Sequence, residues 1–214
     1  ANTPADDGTT NTAAIALTFT LSESASDFIA SDIAVTGCNL GSLSGSGSSY
    51  SATCTAPSSG AVTINVAANG FTDSVGNGNT VATQYDWTYD GTVPTVSSIA
   101  VSGVTSGQYG TAATYTVIVV ASEALENEPT LSLAGGTVGA GAASNSDQTW
   151  TYTFTPTDND EAVTINIAAG AITDGAGNDN TAAATQFAFT HDRTAPTITT
   201  VAVAGATENG YGVA

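Results

Sequence analysis

The chain has 214 residues, of which 19 are acidic and only one, Arg193, is basic, for a formal net charge of −18. That balance excludes nucleic acid and anionic membrane surfaces as partners, because both are bound through basic patches that displace counterions. It gives instead a self-repelling surface with an appetite for cations. No apolar run reaches the ~18 residues that would suggest a bilayer-spanning helix.

The opening stretch, Ala1–Thr12, is polar, and Ala1-Asn-Thr-Pro4 suits a mature end left by removal of a leader. Alternation then begins: Ile15, Leu17, Phe19 and Leu21 face one way while Ala16, Thr18, Thr20 and Ser22 face the other. Period two is the mark of a half-buried strand. Cys38 and Cys54 lie on segments that read as successive strands around the Gly/Ser-rich turn Ser42–Ser49. A disulfide there would contribute roughly 3 kcal/mol by limiting the unfolded chain and implies an oxidising compartment. The other reading is a pair of buried thiols. Val62, Ile64 and Val66 continue the pattern, and Tyr85, Trp87 and Tyr89 form a last strand before the linker Asp90–Pro94.

The same order returns downstream. Tyr115, Val117 and Val119 alternate, as do Trp150, Tyr152 and Phe154, then Val163, Ile165 and Ile167, then Phe187, Phe189 and His191 before the linker Asp192–Pro196. Ala61–Thr80 recurs as Ala162–Thr181, and Pro196–Gly205 echoes Pro94–Gly103. Strands at this spacing, separated by Gly, Asn and Pro turns, predict an all-β chain of sandwich domains. The expected division is 1–93, 94–195 and a C-terminal strand segment, 196–214. Linkers this short favour units stacked end to end as a stiff rod.

Three motifs carry a family resemblance. Thr20-Leu-Ser-Glu23 and Val120-Ala-Ser-Glu123 close a strand. Phe71-Thr-Asp-x-x-Gly-Asn77 recurs as Ile172-Thr-Asp-x-x-Gly-Asn178, and both linkers read Asp-x-Thr-x-Pro. Together they resemble the bacterial Ig-like repeats of giant surface adhesins and biofilm-associated proteins. The resemblance implies two tandem Ig-like Greek-key sandwiches, a secreted cell-surface spacer or adhesive role without catalysis, and calcium between domains.

The residues themselves supply a cation argument. Glu23 and Glu123 end a strand, Asp73 and Asp174 start a Gly/Asn turn, and Asp90 and Asp192 open the linkers. Three carboxylates per unit, converging at a domain end, suit calcium with its six to eight oxygen ligands. The competing reading is local, since Asp and Asn also start turns. Asp158-Asn-Asp-Glu161 has no counterpart in the first unit and reads as a solvated hairpin turn. Catalysis finds no footing, because the single histidine, His191, falls where the first unit has Tyr89, a packing position. Tyr85 and Trp87 likewise read as core rather than as a carbohydrate platform.

By alignment the first unit begins at Ala13, matching Ala113, so the counterpart of Pro94–Ala112 is missing. A sandwich without its first strand exposes a sheet edge. The tail Pro196–Ala214 is that segment again, down to Tyr211-Gly212 in place of Tyr109-Gly110. One reading is a head-to-tail homopolymer of identical subunits, with Ile198, Val201, Val203 and Tyr211 docking beside Ile15, Leu17 and Phe19 of the next copy. The other is a stretch of a longer repeat adhesin, acting as a calcium-stiffened spacer or a glycan- or receptor-binding module.

Overall fold

Period-two patterning becomes strand throughout the computed structural model, which describes residues 4–202. The first unit comprises β1 (Gly8–Thr10), β2 (Ala14–Ala25), β3 (Ile33–Thr36), β4 (Asn39–Leu40), β5 (Ser44–Thr55), β6 (Gly60–Val66) and β7 (Tyr85–Tyr89). One sheet runs β1-β7-β6-β3 and the other β2-β5-β4. Among the described residues the only helical segment is a single 3-10 turn, Ala30–Asp32.

The second unit comprises β8 (Val96–Val101), β9 (Tyr109–Gly110), β10 (Tyr115–Ala121), β11 (Ser132–Ala134), β12 (Gly136–Val138), β13 (Ala142–Ser144), β14 (Thr149–Pro156), β15 (Asp160–Asn166) and β16 (Phe187–Asp192). Its sheets run β12-β14-β10-β8, with β13 also on β14, and β11-β15-β16-β9. The chain changes sheets between β8 and β9, so the opening segment borders both layers. Each core lies between its two sheets: Val117, Val119 and Phe154 meet Val163, Ile165 and Phe189 in the second unit, while Leu17, Tyr50 and Cys54 meet Val62, Ile64 and Trp87 in the first.

The expected start at Ala13 needs correction. Gly8–Thr10 pairs in parallel with Tyr85–Tyr89, as Tyr109–Gly110 does with its own last strand. Asp7 N donates to Asp86 O at 2.9 Å, Asp90 N to Thr10 O at 2.9 Å, and the Tyr85 hydroxyl to Pro4 O at 2.6 Å. The N-terminal stretch therefore supplies the second half of the segment that alignment finds missing. Main-chain pairing hides this from a letter comparison, because Gly-Thr-Thr and Gln-Tyr-Gly share the bonds but not the side chains. Of the second unit's strands, β8 and the short β13 lack a counterpart among the described residues, and β8 alone belongs to the opening segment.

Cys38 and Cys54 form a disulfide with Cα atoms 5.7 Å apart. At the matching place a Cβ on Gly136 would lie 2.3 Å from the Phe154 ring. One unit fills this space with a covalent bridge and the other with an aromatic ring lying on a bare glycine.

Candidate functional site

The outer edge of β10 is covered by β8, with Val117 opposite Val101 and Val119 opposite Ile99. Val117 and Val119 are wholly buried. Its counterpart β2 pairs with β5 on one side and with no strand on the other among the described residues. The side chains register the difference: Leu17 keeps 9% exposure, and Phe19 and Leu21 are only partly buried. A groove of about 500 Å³ follows this edge, floored by Phe19, Leu21, Phe28, Val66, Phe71 and Ala82. Phe28 anchors it, with the rings of Phe19, Tyr50 and Phe71 centred 5.7, 5.1 and 4.8 Å away. Glu23, Asp73 and Asn77 stand on its rim.

Of the residues expected to enter such a groove, Ile198 and Val201 are 84% and 83% exposed. Val203 and Tyr211 lie outside the described residues. Ile15 sits deep in its own core, opposite Cys54 on β5.

The carboxylates converge differently from the expected grouping by unit. Asp90, Glu123 and Asp174 come together, each offering an oxygen within 4.8 Å of the others. The linker aspartate thus joins the unit that follows it. Asp192 instead ends β16 opposite Asp160, and its Oδ1 accepts from Thr194 N at 3.1 Å. Glu23 and Asp73, which match Glu123 and Asp174, gain no third carboxylate among the described residues. The reason is topological, because a linker closes one sandwich and opens the next. Burial, then the charges of Asp174 and Asp90, push the Glu123 carboxyl above its ordinary pKa.

Asp73 and Asp174 also serve their own loops. Asp174 Oδ1 accepts from Ala176 N at 2.9 Å and Asn178 N at 2.8 Å, while Oδ2 accepts from the Asn178 amide at 2.9 Å. Asp73 repeats the arrangement with Val75 and Asn77, and the Asn77 amide foremost holds its carboxyl below the usual range. Asn178 Nδ2 additionally donates to Asp90 O at 3.0 Å, tying the linker to the second unit.

Sequence reasoning missed Asn79 and Asn180, the last asparagine of each repeated turn. Each amide makes four main-chain hydrogen bonds across its loop. Their recurrence at one spacing in both repeats was the available signal. His191 is buried, and its Nδ1 lies 2.9 Å from the Tyr115 hydroxyl. Trp87 is core, Tyr85 is tied to Pro4, and the Asp158–Glu161 turn is closed by Thr157 N and Asp158 N donating to Glu161 Oε1 at 2.6 and 2.9 Å.

A family model described as Bacterial Ig-like domain matches the chain twice, over residues 3–89 and 90–191. None of the curated proteins matches it.

Proposed function

Given that the chain belongs to the bacterial Ig-like domain family, we propose that it is a structural subunit of an extracellular filament or adhesin stalk. One copy completes another by lending its C-terminal strand segment to the open edge of β2. The carrying observation is internal to the molecule. The same edge one repeat later is sealed by β8, and the sequence of β8 returns at Pro196–Gly205 with Ile198 and Val201 exposed. Strand addition of this kind draws affinity from main-chain bonds and specificity from alternate side chains. Deleting Pro196–Ala214 should abolish polymers and leave folded monomers in light scattering and electron microscopy. Polymers formed by the shortened chain would overturn the proposal.

A second reading, that the rod is stiffened by calcium, is favoured by the junction of Asp90, Glu123 and Asp174. The donor set is all oxygen and carboxylate-rich, with no nitrogen or thiolate ligand, which suits calcium. Crowded carboxylates destabilise the fold without a cation. The raised Glu123 carboxyl binds its proton more tightly folded than unfolded, so its penalty acts above the folded pKa and vanishes below the ordinary carboxylate range. Glu123→Gln should therefore raise Tm by a few degrees near pH 7 in chelator and give no gain near pH 3. With about 1 mM calcium the order should reverse, the native protein melting higher. A native Tm indifferent to calcium would reject the metal.

A further inference from the structure

Resting on the strand-donation reading, we infer that the lent strand is confined to about Pro196–Ala204 and docks in a single register, with the residues that follow excluded from the sandwich. This stretch is the counterpart of Pro94–Ser102, where Ser102 N makes the last bond to β10 at Thr116 O. In the second unit, opening segment and host are one chain, and they display the docked state. There β8 covers β10 and β9 covers β16. In the first unit the β9 position is already taken by Gly8–Thr10 against β7, and Thr10 is buried there at 3% exposure. Among the described residues only the β8 position is open. Tyr211-Gly212, which repeats Tyr109-Gly110, meets an occupied edge, so the part of the tail matching β9 finds no partner.

The register follows from the same template. Val101, Ala100, Ile99, Ser98 and Val96 face Val117, Ile118, Val119, Val120 and Ala121, with a bulge before the last pair. Transferred by one repeat, Val203 faces Leu17, Ala202 faces Thr18, Val201 faces Phe19 and Ile198 faces Leu21. Ile198 and Val201 then cover the apolar groove. A polar clip fixes the entry point. Thr95 N donates to Ser122 Oγ at 2.9 Å and Ser122 N to Thr95 O at 2.8 Å, bonds that Thr197 and Ser22 reproduce. Asn178 spans Asp174 and Asp90 O, whereas Asn77 holds only Asp73 and keeps one amide hydrogen for Asp192 O of the arriving chain. Pro94 is fully buried in the template, and Pro196 takes its place.

Two deletions separate this inference from the reading beneath it. Removing residues 205–214 should leave polymer yield unchanged within about twofold, while removing 196–214 should eliminate polymers. If the first deletion also eliminates them, the tail inserts beyond Ala204 and the inference fails while donation stands. If the second leaves polymers, donation itself fails. Register is read by cysteine pairs on the outer face, where directly opposed residues have Cβ atoms about 4.5–5.5 Å apart and diagonal ones about 7–8 Å. Thr18→Cys with Ala202→Cys should give an oxidised ladder of covalent multimers on denaturing gels, and Thr18→Cys with Thr200→Cys several-fold less. A ladder favouring the second pair would overturn the register.

Discussion

Asn180→Ala is expected to destabilise the second unit by about 3–5 kcal/mol, seen as a large fall in the temperature of that unit's calorimetric transition. The side chain is 2% exposed and saturated. Oδ1 accepts from Ala171 N at 2.9 Å and Ile172 N at 3.1 Å, and Nδ2 donates to Ala168 O at 2.9 Å and Ala182 O at 2.7 Å. Truncation strands four main-chain groups beside the core residue Ile172, and each buried orphan costs about 1–3 kcal/mol, partly relieved where water reaches it. Asn180→Asp should be nearly as harmful, since a carboxylate cannot donate to the two carbonyls. Asn79 makes the equivalent bonds from a half-buried position, so Asn79→Ala should cost the first unit less. A shift of under a degree for Asn180→Ala would show that the loop is held by other means.

Breaking the Cys38–Cys54 bridge, by reductant or by joint replacement with Ala, should lower the first unit's stability by about 3 kcal/mol. For a domain of this size that is roughly 12–24 °C in Tm. The bridge closes a sequence separation of 16, and the constraint it places on the unfolded chain belongs to one unit alone. The second unit, whose Phe154 ring occupies the corresponding space over Gly136, should melt unchanged in reductant. Calorimetry with and without reductant would thus assign the two transitions. Equal displacement of both would mean that the Asn178–Asp90 tie couples the units into one folding event.

The two predictions bear on different parts of one design. Asn180 holds shut the loop that contains Asp174, and so positions the carboxylate that meets Asp90 and Glu123. The disulfide clasps the sheet in which β2 is an edge strand among the described residues. Loosening β5 through its bridge therefore also loosens β2, the strand beside the groove.

Much of this was legible in the residues. Alternation at Ile15, Leu17 and Phe19, or at Val163, Ile165 and Ile167, marks strands because a pleated chain sends neighbours to opposite faces. The recurrence of Ala61–Thr80 at Ala162–Thr181 marks two units, since a repeated string folds to a repeated sandwich. The cysteine pairing was legible because only a short Gly/Ser-rich stretch separates the two residues, although Cys38 falls just before β4 and Ser44–Ser49 joins β5 rather than forming the expected turn. None of these depends on distant parts of the chain.

Pairing between distant segments was decided elsewhere. Gly8–Thr10 takes the β9 position through main-chain bonds, which carry no letter signature, so only the folded chain reveals that half of the opening segment is present. Asp90 meets Glu123 and Asp174 rather than Glu23 and Asp73 because the linker leaves one sandwich at the end where the next begins. Composition and period determine which residues face inward; which edges meet, and which carboxylates share a space, depends on where the sheets bring the chain's remote ends together.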